Sequence, residues 1–179
     1  MATNSFSEKV INWYELHGRH DLQWRKAITP YRIWISEIML QQTQVVTVKP
    51  YFKKFIKKYP TLKSIQDASE DEILTLWSGL GFYKRARNIF RTKEIIHSEH
   101  MGRFPKTFEE IIKLPGIGKS TAGAIMSIAH QIPTPILDGN VKRILQRYFS
   151  DDKNIFSEKE LWNLSLSVSN ATNSNLYTQ

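Results

Sequence analysis

The stretch LPGIGKS at residues 114–120 decides the fold, because its two glycines form a tight turn between two short helical segments, 107–113 and 119–130. Glycine lets a backbone turn sharply and approach a ligand closely. The second helix would direct its unpaired N–H groups outward, an arrangement that favours a phosphate, and Lys119 adds positive charge there. The same spacing is also typical of a helical hairpin that binds no ligand. The stretch alone leaves both interpretations open.

Helical periodicity extends outward from this hairpin along the whole chain. Capping pairs, a Thr-Pro pair and glycines mark the helix ends. The predicted helices begin at Ser5 with Glu8, at Thr29-Pro30 (running to about Val45), at Pro50, at Ser69 with Glu72, at Phe82 (running to about His100), at Asp138 (running to about Phe149), and at Ser157 with Glu160. We expect Trp13, Trp77 and Trp162 in the core. No segment shows the alternation typical of a strand, so the sequence predicts an all-α fold.

Composition narrows the class of protein. The 179 residues are enough for one domain or two small lobes, and they carry 25 Lys and Arg against 17 Asp and Glu, a net charge of +8. Positive charge is typical of nucleic-acid binding but is not specific to it. The absence of Cys excludes disulfides, a thiolate zinc site, a cysteine nucleophile and a Cys-ligated iron–sulfur cluster.

Two further classes of protein are excluded by what the sequence lacks. No apolar run approaches the roughly 20 residues that cross a bilayer, and the N-terminus has no signal-peptide pattern. We therefore expect a soluble intracellular protein. The five His residues show no ligand spacing with a carboxylate, so no metal site is predicted from side chains.

Glu37 is the acidic residue of an otherwise apolar helix, YRIWISEIMLQQ at 31–42. At about 100° per residue, its side of the helix also carries Ile33, Trp34, Leu40, Gln41 and Gln44. Desolvation beside Trp and Leu raises the pKa of a carboxyl group, which produces a general acid usable near neutral pH. The alternative is a buried Glu tied to a basic neighbour or to a helix end.

Asp138 stands at the start of a helix in ILDGNVKR at 136–143, a position that predicts an N-cap. A capping carboxylate at a helix mouth stays ionised and can also face a developing cation. The separation of Glu37 and Asp138 along the sequence says nothing about their distance in space.

The segment GLGFYKRARN at 79–88 combines a glycine turn, two aromatics and clustered basic residues. Aromatic side chains at such a turn can wedge between bases while the cations hold phosphates. The alternative is a core-packing Phe82 beside a solvated charged face.

Four motifs together resemble the helix-hairpin-helix DNA glycosylase superfamily, and within it the MutY-type adenine DNA glycosylases. They are WISEIMLQQTQV at 34–45, GLGFYKRARN at 79–88, the hairpin at 114–124 and PILDGNVKR at 135–143, in the order of that family. The match extends from about residue 6 to the last residue.

This resemblance implies two helical lobes with the active site, the DNA and the flipped base between them. One lobe is a helical bundle, 29–134, with the hairpin at 107–130; the other joins 1–28 to 135–179 and is incomplete at its C-terminal end. The implied reaction is hydrolysis of the N-glycosidic bond of adenine mispaired with 8-oxoguanine or guanine, in base excision repair. The target nucleotide must leave the stack. A monomer in a bacterial cytoplasm, associated with the nucleoid, is implied as well.

The resemblance also implies roles for the matching residues. Glu37 would protonate the adenine ring, and Asp138 would stabilise the oxocarbenium-like sugar. A monovalent cation would lie on the hairpin carbonyls near Leu114 and Ile117. Ser120 replaces the lysine nucleophile of bifunctional relatives such as endonuclease III, so the glycosylase would be monofunctional. Contacts to substrate or DNA would come from Trp24, Arg25, Leu40, Gln41, Gln42, Phe82, Arg85, Arg87, Gly116, Gly118, Lys119 and Ser120.

The chain departs from the family pattern at three places. Phe82 replaces the usual Tyr, which removes a hydroxyl but keeps the stacking plane, and Gln23 replaces a Pro. Residues 175–179 resemble the start of the family's next helix, and the family's four 4Fe–4S cysteines and its 8-oxoguanine-reading domain lie beyond that point. We therefore expect a chain truncated before the cluster cysteines, with no cofactor of its own.

Two other functions stay open. One is a related base-excision glycosylase with a different base specificity, against which Ser120 and the motif at 34–45 argue. The other is a catalytically impaired helix-hairpin-helix fragment that only binds DNA. All three functions have double-stranded DNA as partner, and none involves a membrane.

Overall fold

The computed structural model describes residues 2–150 and 155–169, with side chains from residue 5. Every regular element in these ranges is a helix, which confirms the predicted all-α class. The elements are α1 (Ala2–His17), α2 (Gln23–Lys26), α3 (Pro30–Leu40), α4 (Val45–Lys58), α5 (Leu62–Ile65), α6 (Glu70–Trp77), α7 (Lys84–Glu99), α8 (Phe108–Ile111), α9 (Lys119–Ala124), a π-helix (Ile125–Ala129), α10 (Gly139–Phe149) and α11 (Glu158–Ser169). Residues 175–179, which resemble the family's next helix, lie outside the described residues.

Contacts between Cα atoms divide the chain into two compact units. The central unit is His20–Gly118, and the terminal unit joins Met1–Arg19 to Lys119–Gln179. The lobe boundaries after residues 28 and 134, which follow from the family resemblance, stay a prediction.

The core of the central unit is built on α3 and α4. The lysines of α4 face outward, and Val48, Phe52 and Phe55 face the core, as its amphipathic pattern predicts. The largest fully buried side chains of this unit are Ile33, Trp34, Ile35, Ile38, Met39, Phe52, Phe55, Ile65, Ile73, Trp77, Ile89 and Ile96.

Two helix boundaries in this unit differ from the sequence predictions. α3 ends at Leu40 and not near Val45, because the carbonyls of Ile38 and Met39 accept hydrogen bonds from an arginine side chain instead of from further helical N–H groups. α4 begins at Val45, so Pro50 lies inside it and does not open it. Pro50 removes one helical hydrogen bond, from the carbonyl of Val46, and Val46 is 71% exposed, so water can take its place.

One hydrophobic cluster of the terminal unit is contributed by α1, α10 and α11: Phe6, Leu145, Leu161 and Val168. The buried Ser7 hydroxyl donates a 2.8 Å hydrogen bond to the carbonyl of Val168, which ties α1 to α11. The predicted capping box of Ser5 and Glu8 is wrong, since α1 already begins at Ala2.

The three tryptophans expected in the core have different environments. Trp77 is fully buried, Trp162 is half-buried, and Trp13 is 61% exposed. The expectation for Trp13 is therefore wrong, because only one face of α1 packs against its unit. The predicted helix 119–130 is also two elements, since α9 passes into a π-helix at Ile125. None of the described helices is long and apolar enough to span a membrane.

We predict that Leu145→Ala lowers the free energy of unfolding by about 2–5 kcal/mol, because it leaves a cavity in a fully buried cluster. Ile144→Ala is the matched control: the neighbouring side chain on α10 is 53% exposed, and its loss should change that free energy by less than about 0.5 kcal/mol. Urea unfolding followed by circular dichroism measures both. Equal losses from the two variants would contradict the packing of α10.

Candidate functional site

Glu37 lies half-buried in the last turns of α3, whose start is fixed by Thr29 and Pro30. The Thr29 hydroxyl oxygen accepts a 3.2 Å hydrogen bond from the N–H of Arg32, and Pro30 occupies the first helical position, as predicted. Trp34, one turn before Glu37, has no exposed surface. The carboxyl group therefore stands at the edge of an apolar interior and not on a solvated helix face.

The loop after α3 holds Gln41 and Gln42 in different ways. The Gln41 side-chain amide donates a 3.1 Å hydrogen bond to the carbonyl of Gly116, so it is tied to the turn of the hairpin. Gln42 is exposed and has φ = +54°, a left-handed conformation that is uncommon for a residue other than glycine. Leu40 is half-buried at the end of α3. The loop thus presents Gln42 outward while Gln41 anchors it.

A second outward-facing segment is the turn at 79–82. Gly79 and Gly81 have φ of +93° and +77°, and Phe82 has φ = +49° with 59% of its side chain exposed. The buried Trp77 donates its indole N–H to the carbonyl of Gly81 at 3.0 Å. Phe82 is therefore a surface aromatic held in a left-handed conformation, and the alternative of a core-packing Phe82 is wrong.

Arg85 lies in the interior, 6% exposed, and its guanidinium caps the C-terminus of α3. One terminal nitrogen, Nη1, donates to the carbonyls of Ile38 (3.1 Å), Met39 (2.7 Å) and Gln41 (2.6 Å). Burial lowers the pKa of this guanidinium from its ordinary value, since desolvation disfavours the charged form. The structure thus places Arg85 inside the unit and not on the DNA-contacting surface predicted from its motif.

Arg87, two residues further on α7, remains at the surface. Its Nε lies 3.3 Å from a carboxylate oxygen of Glu70, and both side chains are about half exposed (52% and 41%). Exposed ion pairs of this kind contribute on the order of 0–1 kcal/mol, so a phosphate can compete for the guanidinium.

The hairpin turn is packed against α7. Gly116 has φ = +79°, and a Cβ there would lie 2.6 Å from the side-chain nitrogen of Asn88, so only glycine fits. A Cβ at Gly118 would meet no atom within 4 Å, which leaves that side of the turn open. The N–H of Ile117 donates to the carbonyl of Leu114 at 3.1 Å. A monovalent cation on the carbonyls near Leu114 and Ile117 stays a prediction.

Trp24 and Arg25 lie on the short helix α2. Trp24 is 4% exposed and packs edge-on against Phe52, with ring centroids 5.2 Å apart, whereas Arg25 is half-buried. Trp24 is thus a core residue of the central unit, and its predicted contact with a base stays a prediction.

In the terminal unit, Asp138 is the N-cap of α10, as predicted. Its Oδ1 accepts hydrogen bonds from the N–H groups of Asn140 (2.9 Å) and Val141 (2.8 Å). The residue is exposed, and its Oδ1 is held by the helix while the other oxygen, Oδ2, takes no part in the cap.

The segment just before Asp138 is fixed by two serines and a glycine. The Ser120 hydroxyl oxygen accepts the N–H of Leu137 at 3.0 Å, and the Ser165 hydroxyl donates to the carbonyl of Ile136 at 2.6 Å. A Cβ at Gly123 would collide with the carbonyl oxygen of Pro135, so α9 needs glycine where this segment crosses it. Ser120 therefore helps to position the chain that carries Asp138.

Lys119, the first residue of α9, is exposed, and its ammonium lies 5.9 Å from the ring centroid of Trp162. In the ranges 2–150 and 155–169, no three His, Asp or Glu side chains are grouped as metal ligands. With no Cys anywhere in the sequence, the residues present do not fit a thiolate-ligated cluster.

A family model described as "HhH-GPD superfamily base excision DNA repair protein" matches residues 35–166. The chain belongs to that superfamily. The matched range contains α3 from Ile35 onward, the turn at 79–82, the hairpin, Asp138 and most of α11.

Curated relatives narrow the likeness to adenine DNA glycosylases. The protein of that name from Buchnera aphidicola subsp. Acyrthosiphon pisum is 51% identical over 184 residues, covering 100% of this chain and 52% of the relative. The protein of the same name from Rattus norvegicus is 40% identical over 172 residues, covering 89% of this chain and 33% of the relative. The resemblance found from the motifs is confirmed. The chain spans about half the length of the Buchnera relative that it matches.

Solved structures support the same fold. A thermostable thymine-DNA glycosylase matches with a TM-score of 0.87 and 27% identity, covering 98% of this chain and 83% of that one. Endonuclease III in a trapped covalent complex with DNA matches with a TM-score of 0.76 at 20% identity, covering 96% and 81%. The second likeness concerns the fold alone.

The sequence analysis did not identify the residues whose role is to position other residues. Ser165 and Gly123 carry no motif of their own, and only the crossing of 135–137 over α9 reveals them. The buried role of Arg85 was hidden within a basic run that reads as a charged surface. The sequence carries no local signal for this role, because the early end of α3 at Leu40, whose carbonyls need donors, is itself visible only in the structure.

We predict that Ser120→Ala speeds hydrogen exchange at the amide of Leu137 by about tenfold, because that N–H loses its acceptor, a loss of roughly 1–3 kcal/mol. The matched control is Ser167→Ala, which removes an exposed hydroxyl bonded within α11 to the carbonyl of Leu164. Exchange read by NMR measures both. An unchanged rate at Leu137 in Ser120→Ala would mean that Ser120 does not hold this segment.

Proposed function

We propose that this chain hydrolyses the N-glycosidic bond of adenine mispaired with 8-oxoguanine or guanine in double-stranded DNA. The observation that carries the proposal is the 51% identity, along the whole of this chain, to a protein named adenine DNA glycosylase. The chain acts as a monomer in a bacterial cytoplasm, together with the nucleoid. The target base leaves the stack before reaction, since its glycosidic bond is out of reach inside a duplex.

Glu37 is the general acid of the proposed reaction. A protonated carboxyl group at the edge of an apolar interior donates its proton to a ring nitrogen of adenine, which turns the base into a better leaving group. The C1′–N bond then breaks, and its electron pair leaves with the base. The half-burial of Glu37 beside fully buried neighbours on α3 supports this assignment.

Asp138 stabilises the positive charge that remains on the sugar. Its Oδ1 is held by the helix N–H groups, which keep the side chain in place to face an oxocarbenium ion. Water then adds to C1′ and releases a proton to the solvent, which completes the hydrolysis. The exposed position of Asp138 at the mouth of α10 supports this role.

The DNA is held by the hairpin and by the two outward-facing segments. Backbone N–H groups near Gly116, Gly118 and Lys119 hold a phosphate, and the open side of Gly118 supports a close approach there. Phe82 enters the base stack, and Gln42 occupies the gap that the flipped nucleotide leaves. Both side chains are already exposed for these roles.

Ser120 makes the enzyme a monofunctional glycosylase. A hydroxyl forms no Schiff base with the sugar, so no lyase step follows base release. The hydrogen bond that Ser120 accepts from the N–H of Leu137 supports a positioning role for this side chain in place of a nucleophilic one.

The likeness to a thymine-DNA glycosylase favours a second candidate, a glycosylase that releases another mispaired base. Duplexes with adenine, thymine or an oxidised pyrimidine at the target position decide between the two candidates. Salt-dependent binding without release of any base would instead support a fragment that only binds DNA.

We predict that Glu37→Gln lowers the single-turnover rate of adenine release by at least about 100-fold, because the amide cannot donate a carboxyl proton. Affinity for the duplex should change little. Glu99→Gln, an exposed acid at the end of α7, is the matched control and keeps the parental rate. A Glu37→Gln chain with nearly full activity would overturn the assignment of Glu37.

We predict that Asp138→Asn lowers the same rate by at least about 100-fold without destabilising α10, because Asn is as good an N-cap as Asp but carries no charge. The midpoint of thermal unfolding reports whether Asn preserves the cap of α10, and the rate of adenine release reports whether the charge is needed. Loss of activity only in Asp138→Ala, with Asp138→Asn active, would show that the cap matters and the charge does not.

We predict that strand cleavage appears only after alkaline treatment of the reaction products, because base release leaves an intact abasic strand. The substrate is a duplex with adenine opposite 8-oxoguanine, incubated with the 179-residue chain. Cleavage without alkali, or a borohydride-trapped adduct, would contradict a monofunctional glycosylase.

A further inference from the structure

We infer that Arg85 is a positioning residue that joins the two DNA-facing segments of the central unit, the loop at Gln41–Gln42 and the turn at 79–82, into one rigid element. This inference rests on the proposed function, since it assumes that both segments act on DNA. In this inference Arg85 holds the two segments in the positions that base extrusion needs. It contacts neither a base nor a phosphate.

The first support is the distribution of the hydrogen bonds. Nη1 of Arg85 donates to three carbonyls at the end of α3, and Nη2 donates to the carbonyl of Gly81 at 3.2 Å. One planar guanidinium therefore bridges two segments that lie about 40 residues apart in the sequence. A lysine has a single nitrogen and cannot reach both sets of carbonyls with the same fork.

The second support is the charge at the end of α3. The last carbonyls of a helix lack intrahelical donors and carry partial negative charge, so a cation is favoured there. The carbonyl of Leu40 accepts the N–H of Thr43 at 3.2 Å, while those of Ile38 and Met39 are bonded by Arg85. Without Arg85, these two buried positions would lose their donor, since α3 does not continue.

The third support is the backbone strain on each side of the bridge. Gln42 and Phe82 both have left-handed φ values, +54° and +49°. Such conformations cost on the order of 1–3 kcal/mol each for non-glycine residues, and they persist where the surroundings enforce them. The bridge from Arg85 ends at Gln41 and Gly81, the residues directly before Gln42 and Phe82.

The fourth support is the aromatic sandwich around the guanidinium. Its carbon lies 5.3 Å from the ring centroids of Trp77 and Phe82. Trp77 is fully buried and Phe82 is mostly exposed, so the cation links the wedge-forming ring to the core. Gln41 extends the same element to the hairpin through its bond to the carbonyl of Gly116.

The test measures base extrusion separately from chemistry. The Glu37→Gln chain is used as the parent because it binds DNA without releasing adenine, and the probe is a duplex with adenine opposite 8-oxoguanine and 2-aminopurine beside the adenine. Extrusion of the adenine unstacks the 2-aminopurine and raises its fluorescence. Arg85→Met in this parent should lose most of that rise, and Arg85→Lys, which keeps the cation without the fork, should restore part of it.

The matched control is Lys93→Met. Lys93 is a buried cation on the same helix, 4% exposed, that donates to the carbonyl of Gln66 at 2.7 Å, away from both DNA-facing segments. Its loss should cost stability and leave the fluorescence rise unchanged. In chains that retain Glu37, Arg85→Met should lower the single-turnover rate on the order of 100-fold, as expected for reacting groups held about 1 Å out of place.

Each outcome has a distinct meaning. A full fluorescence rise in a folded Arg85→Met chain overturns the inference and leaves the proposed function intact. If Arg85→Met does not fold, Arg85→Lys decides: a full rise in that variant overturns the inference, and a reduced rise supports it. No rise in the Glu37→Gln parent overturns the proposed function, and the inference with it. Equal losses in Arg85→Met and Lys93→Met overturn the inference, since any buried cation of α7 would then serve.

Discussion

The hydrogen bonds from the Arg85 guanidinium to the end of α3 are the contact on which the central unit depends most. These bonds end α3 at Leu40, so that Gln41 and Gln42 lie outside the helix. Glu37 itself lies in the last turn of α3, three residues before this end. The same guanidinium also donates a hydrogen bond to the carbonyl of Gly81. A change at this one side chain would therefore alter the loop and the aromatic turn together.

In the terminal unit, Asp138 is positioned by neutral side chains, and none of the described residues there is a buried charge. The carboxylate of Asp138 has to stand at a helix mouth, and the chain leading to it has no secondary structure of its own. Two serine hydroxyls hold residues 135–137 in place, and the absence of a side chain at Gly123 leaves room for them. Small side chains suit this task because they form hydrogen bonds to backbone groups at close range. Ordering them costs less conformational entropy than ordering a long side chain.

The sequence predicted those features that local rules govern. The helical class, the Thr29-Pro30 start of α3 and the Asp138 cap follow from patterns within four residues, and the structure contains all three. Features set by distant residues were not predictable: the early end of α3 depends on an arginine more than 40 positions away. The roles proposed for Glu37 and Asp138 come from family likeness and local environment, since spacing along a chain carries no distance in space.

The exposed ring of Phe82 bears on how fast such a protein can search DNA. Its conformation and that of Gln42 are already set in the free chain, so their cost is met once, when the chain folds, and not at every encounter with a base pair. If the chain binds DNA as proposed, the time spent at each step along a duplex would then depend on how readily the DNA opens. A base pair that stacks or pairs poorly would be recognised by its own weakness, and well-paired steps would be passed without any rearrangement of the protein.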